Sequence, residues 1–153
     1  MNKYLATFCT IFWAGLIAGI SFLEAPLKFK APGITIQLGL GIGQLVFQAL
    51  NKIEIVLMLI VAICMYNSKL KSLKGAFLYL LIILLLTDTF WLLPHLDERA
   101  KLVLNGQPLS SSYHHIVYIV VEIVKFFVLL ILGYLNLKEM QINNTKQIIS
   151  EDT

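Results

Sequence analysis

The stretch YHHIVYIVVEIVKFFVLLILGYL, residues 113–135, decides the fold. From residue 116 onwards it is apolar except for Glu122 and Lys125. A helix rises ~1.5 Å per residue, so this run matches the ~30 Å hydrocarbon core of a bilayer. An ionisable group at that depth costs at least ~2.5–3.5 kcal/mol. A helix that places a glutamate and a lysine there needs partners for them.

Residues 4–23, 45–66 and 76–93 form three further runs of the same kind. The first follows Lys3 and could be read as a signal peptide. It is too long, contains Trp13 and lacks a small-x-small cleavage site, so it reads as an uncleaved anchor. Composition agrees. Of 153 residues, 58% are hydrophobic and 14% charged, against ~45–50% and ~25% in soluble domains. The expected fold is all-α: an integral membrane four-helix bundle over residues 1–135 with structured outer loops. Residues 136–153 read as a polar cytoplasmic tail that frays.

Lys69, Lys71 and Lys74, with no acid nearby, mark the connection at residues 67–75 as cytoplasmic. Four spans then put both termini in the cytoplasm, and Lys3, Lys138 and Lys146 agree. On the other side, Lys28, Lys30, Arg99 and Lys101 are diluted by Glu24, Asp97 and Glu98. The outer connection EAPLKFKAPGITIQLGLGIG, residues 24–43, holds two prolines and four glycines. It reads as an interfacial loop with extended pieces. Its GLGIG lacks the lysine and the strand–helix setting of a phosphate loop. The second outer connection carries an amphipathic stretch, LDERAKLVL, and Ser110 to Ser112 as helix caps. The net charge of +3 is scattered, which argues against a nucleic-acid face. Cys9 and Cys64 lie apart without a CxxC, so neither a zinc knuckle nor a dithiol site is supported.

Counting along each helix places Glu54, Asp88, Glu122 and Lys125 roughly 18–22 Å above the cytoplasmic ends of their spans. The inner halves are nearly free of charge. At ~100° per residue, His114, His115, Tyr118, Glu122 and Lys125 share one arc, and Asp88, Trp91 and His95 share a narrower stripe unless Pro94 kinks it. Gln44, Gln48, Asn51 and Glu54 fall on one side of the second span. Three polar stripes at one height imply one inward pocket opening towards the outer face. Three carboxylates against one lysine leave two negative charges in excess, to be met by protons, histidines, Lys52 or a cation.

In this reading Glu54, Asp88 and Glu122 are ligands or proton carriers, and Lys125 holds a carboxylate ionised. A metal ion would draw on His95, His115, Glu54 and Glu122, although the E-x-x-H spacing of di-iron bundles is absent. Tyr118, Trp91, Asn51 and Arg99 would flank a bound small molecule. The functions that follow are a membrane enzyme binding a metal ion or small redox molecule, or a non-catalytic subunit whose charges join helices. A solute or ion transporter and a bis-histidine haem protein are further options. Expected partners are the lipid bilayer and either further copies or the subunits of a membrane complex.

The segments SFLEAPLKFKAPGI, LNKIE, LLPHLDERA and HHIVYIVVEIVK, spanning most of residues 21–125, resemble a group of small four-span bacterial membrane proteins of unknown function. That resemblance implies four spans and a bacterial inner membrane, and no reaction. In layout alone the chain is also similar to anthrone oxygenase-like small membrane proteins.

Overall fold

The computed structural model describes residues 2–66, 73–107 and 113–151. These residues contain no strand. They form four helices, α1 (Lys3–Lys30), α2 (Ile36–Met65), α3 (Leu73–Leu104) and α4 (Tyr113–Ser150), each long and apolar enough to cross a membrane. Neighbours in sequence are neighbours in space: α1 packs on α2 and α4, and α3 packs on the same two. The result is the expected all-α four-helix bundle. Lys3 on α1 and Lys74 on α3 both bond Glu139 on α4, which marks the terminal end of the bundle. Residues 31–35 turn the chain at the far end.

The terminal half is filled by apolar side chains such as Ile17, Val61, Leu81 and Leu129, all buried. Outward-facing residues are equally apolar: Phe8, Leu45, Ile63, Phe90 and Ile116 are 65–75% exposed. In water such a surface would aggregate, whereas in lipid it meets a solvent of its own polarity. Lipid also removes the usual hydrophobic drive between helices, so close packing and interior polar contacts carry more of the association.

The connection at residues 24–43 is not the irregular loop expected. Helix α1 continues to Lys30 and α2 begins at Ile36, leaving five residues between them. Pro26 lies within α1, two residues after a widened turn, and does not end it. Pro32 and Gly33 occupy the middle of a turn closed by Ile34 N–H to Ala31 O at 3.2 Å, with Gly33 at φ 81°. Proline followed by a positive-φ glycine is the arrangement of a type II turn. Thr35 then caps α2 by accepting from Leu38 N–H at 3.1 Å. The GLGIG stretch is helical, and its glycines serve contact. A Cβ on Gly39 would lie 2.4 Å from the Phe29 ring, and one on Gly43 would lie 2.9 Å from Lys28 Nζ.

The frayed tail is also corrected, because α4 runs unbroken past Leu135 to Ser150. It is tied down there by Glu139 to Lys3 and Lys74, by Asn136 to Lys74 at 2.9 Å, and by Thr7 to Met140 at 3.6 Å. Lys69, Lys71 and the Ser110 to Ser112 caps lie outside the described residues. Cys9 is buried, Cys64 half-buried, and both are free thiols.

Two helices carry a widened, π-helical turn: Ala18–Glu24 in α1 and Asp88–Leu92 in α3. In each case a proline follows two residues later, Pro26 and Pro94. A π turn absorbs an extra residue, and often marks a functional position. It also relieves the clash between a proline ring and the carbonyl four residues before it. Thus α3 passes through Pro94 without ending. The extra residue changes which side chains face inward: Asp88 is buried while Trp91 and His95 are exposed, so the predicted stripe is split.

Candidate functional site

The four helices converge on one ammonium group. Lys125 Nζ lies 2.9 Å from both carboxylate oxygens of Glu54, 2.7 Å from Asp88 Oδ2 and 2.6 Å from Glu122 Oε1. Glu54 comes from α2, Asp88 from α3, and Glu122 with Lys125 from α4. Helix α1 supplies two uncharged donors. Trp13 Nε1 donates to Glu54 Oε1 at 2.7 Å, and Ser21 Oγ donates to Glu122 Oε2 at 2.8 Å. All four charged side chains are 0–2% exposed. The match in depth expected between spans two, three and four is therefore realised as direct contact.

Local structure explains each placement. Glu122 and Lys125 stand three residues apart on α4, one turn and the same face. Asp88 opens the π turn of α3, and Ser21 lies inside the π turn of α1, so both widened turns abut the cluster. Glu54 is one turn below Asn51, whose amide donates to Thr89 Oγ1 at 3.0 Å and joins α2 to α3 just beside the cluster.

The cluster is under-supplied with donors. Glu54 receives two hydrogen bonds from Lys125, whereas Asp88 Oδ2 and Glu122 Oε1 meet the ammonium at ion-pair distance but off the hydrogen-bonding direction. Asp88 Oδ1 is buried with no donor among the described residues. Buried polar atoms in native proteins are nearly always satisfied, so an orphaned oxygen points to a proton, a water or an ion. With three ionised carboxyls the site would hold two negative charges in excess.

The metal expectation can be tested against this geometry. Oxygen atoms of Glu54, Asp88 and Glu122 come within 4.8 Å of one another, close enough for a shared ion. However, the Lys125 ammonium already lies among them. A metal would have to displace it, and neither His95 nor His115 belongs to this set. His95 is exposed; its Nδ1 is 2.7 Å from Trp91 O and its ring stacks on His114 at 4.8 Å. Trp91 packs edge-on against the same two histidines. Lys52 is exposed and takes no part in the pairing of Glu54.

Above the cluster lies a cavity of about 820 Å³, within the usual range for small-molecule sites. Its walls are largely apolar, and Ser21, Tyr118 and Glu122 form its polar floor. Tyr118 is buried and its ring packs against Phe47 at 5.2 Å. Lys28, Asp97, Arg99 and His115 line it towards the far end. Of the residues singled out from sequence, Glu54, Asp88, Glu122 and Lys125 form the cluster, Tyr118, Arg99 and His115 line the cavity, and Asn51 braces the boundary. Trp91 and His95 stand together elsewhere. Trp13 and Ser21 were not anticipated; their only signal was an indole and a hydroxyl deep in the first apolar run. Compared with known protein families, characterised proteins and solved structures, the chain matches none.

Proposed function

We propose that this multi-pass membrane protein is a bacterial inner-membrane enzyme with both termini in the cytoplasm. Its far-end cavity faces the outer leaflet and binds a small, largely apolar, redox-active molecule that exchanges a proton with Glu122. One observation carries the reading: Glu122 belongs both to the cavity floor and to the charge cluster. A carboxyl at such a boundary can pass a proton to a bound molecule while Lys125 compensates the charge left behind. Lys125 fills the place a metal would take, so the cluster works here with an internal cation. Tyr118 and Ser21 orient the molecule on the cavity floor.

The test starts from protein purified in its own lipids, with mass spectrometry of the extracted small molecules. Returning the molecule found, with difference infrared spectroscopy of the carboxyl C=O stretch, reads whether a carboxyl gives up its proton on binding. Glu122→Gln is expected to retain its helical circular dichroism and still bind, with that carboxyl band lost from the difference spectrum. A band that survives the substitution sinks the reading, and so does stoichiometric metal in elemental analysis of the native protein.

A second reading is favoured by the complete burial of Lys125 and its three partners, the geometry helix-joining charges would adopt. The protein is then a non-catalytic subunit of a membrane complex. Failure of Glu122→Gln to fold, together with co-purifying subunits and no bound small molecule, would favour it.

A further inference from the structure

We propose that Lys28 and Arg99 form an anion-binding end to the cavity, so that its ligand is an amphipathic anion lying head outward and apolar body towards Tyr118. This inference rests on the cavity being a ligand site, and adds the chemical class of what it takes.

The argument is one of unequal satisfaction. Four formally charged side chains line the cavity, and each of its two acids has a polar partner closer than 3 Å. Asp97 Oδ2 accepts from Gln48 Nε2 at 2.6 Å, and Glu122 is held by Ser21 and Lys125. Its two bases have none that close among the described residues. The Arg99 Nε–H is buried there without an acceptor. The Lys28 side chain is only 8% exposed, yet its one ion pair among the described residues is a 3.3 Å contact to Glu24. Its ammonium otherwise rests on aromatic faces, 4.9 Å from the Phe47 ring centre and 5.7 Å from that of Phe29. The missing Cβ of Gly43 leaves the space this ammonium occupies. His115 stands at the rim, in the field of both cations. A guanidinium N–H without an acceptor, lining one cavity with a desolvated ammonium, is the recognition chemistry of a carboxylate or phosphate. Below it, Phe47, Leu96 and Ile119 offer only hydrocarbon to the rest of the molecule.

Such an anion can arrive as a free acid or as a lipid headgroup, and the experiment separates the two. Purified protein in phosphatidylcholine nanodiscs is titrated with decanoate, decyl phosphate, decanol and decyltrimethylammonium, followed by intrinsic tryptophan fluorescence and calorimetry. The two anions are expected to bind about tenfold or more tighter than the alcohol, as a charge-assisted bond implies. The cation should bind weakest. Arg99→Gln and Lys28→Gln should each remove most of that preference, read as the ratio of decanoate to decanol affinity within the same variant. Repeating the titration with phosphatidylglycerol in the disc identifies the source. Competition by that lipid assigns the site to a headgroup, and no competition assigns it to a free acid; both support the proposal. Equal binding of decanol and decanoate in the native protein overturns it without needing any variant to fold. Anion preference that survives both substitutions also overturns it. Failure here differs from failure of the proposed function, because proton exchange at Glu122 is read with the native molecule and these probes need exchange none.

Discussion

Two ion-pair clusters hold this bundle, and they are near mirror images. In the polar layer one lysine, Lys125, is surrounded by three carboxylates from three helices and is fully buried. At the terminal end one carboxylate, Glu139, is gripped by two lysines from two other helices and its side chain is 42% exposed. Both join α4 to its neighbours. The difference lies in the medium. Exposed pairs are screened and typically contribute ~0–1 kcal/mol. A buried group deprived of its partner leaves charge in a low dielectric, where breaking the set costs ~3–5 kcal/mol. Similar chemistry thus serves as a light clasp at one site and as a constraint on the whole bundle at the other.

The sharpest way to break this contrast is Lys125→Met. It leaves three acids facing each other in the interior, and is expected to destabilise by about 3–5 kcal/mol, read by thermal unfolding in detergent or by steric trapping in bicelles. Adding Glu54→Gln, Asp88→Asn and Glu122→Gln to that variant should restore much of the loss, since the neutral set no longer carries uncompensated charge. A native-like melt for Lys125→Met alone would show that the buried cluster is no stronger a constraint than the surface one.

Next in size is Trp13→Phe, which removes the donor to Glu54 and trims the buried indole to a smaller ring. A hydrogen bond to a charged group contributes about 1.5–3 kcal/mol, so a loss in that range is expected. A double-mutant cycle with Glu54→Gln should show coupling between the two positions. Additive effects would mean that α1 is held by packing alone. The smallest effect belongs to Glu139→Gln, expected at under about 1 kcal/mol and fading in 1 M salt, where the screening length falls to ~3 Å. A salt-independent loss larger than that of Trp13→Phe would invert the comparison.

How much of this was legible in the sequence follows from the physics of each residue. Glu54, Asp88, Glu122 and Lys125 stood out because charge within an apolar run is costly, and helix rise alone set them at one height. Trp13 and Ser21 did not, because an indole or a hydroxyl inserts into lipid at little cost and so announces no partner. Residues 24–43 were misread because proline and glycine signal a break in water. Here Pro26 is carried inside α1 after a widened turn, and Gly39 and Gly43 make room for Phe29 and Lys28. The stripe of Asp88, Trp91 and His95 was drawn on a regular helix, and the widened turn beginning at Asp88 separated its members. The cavity depends on how helices α1, α2, α3 and α4 splay above the cluster, which no periodicity in a single run encodes.

The chain order of the cluster has a consequence for biogenesis. Ribosomes deliver Glu54 and then Asp88 to the bilayer before Lys125 exists. Helices α2 and α3 must therefore wait, each with an acid lacking its mate, until the final helix is threaded. A nascent chain cut short before residue 125 lacks the ammonium that both acids pair with, which makes it a natural object for membrane quality control, and completion of α4 brings that ammonium to both.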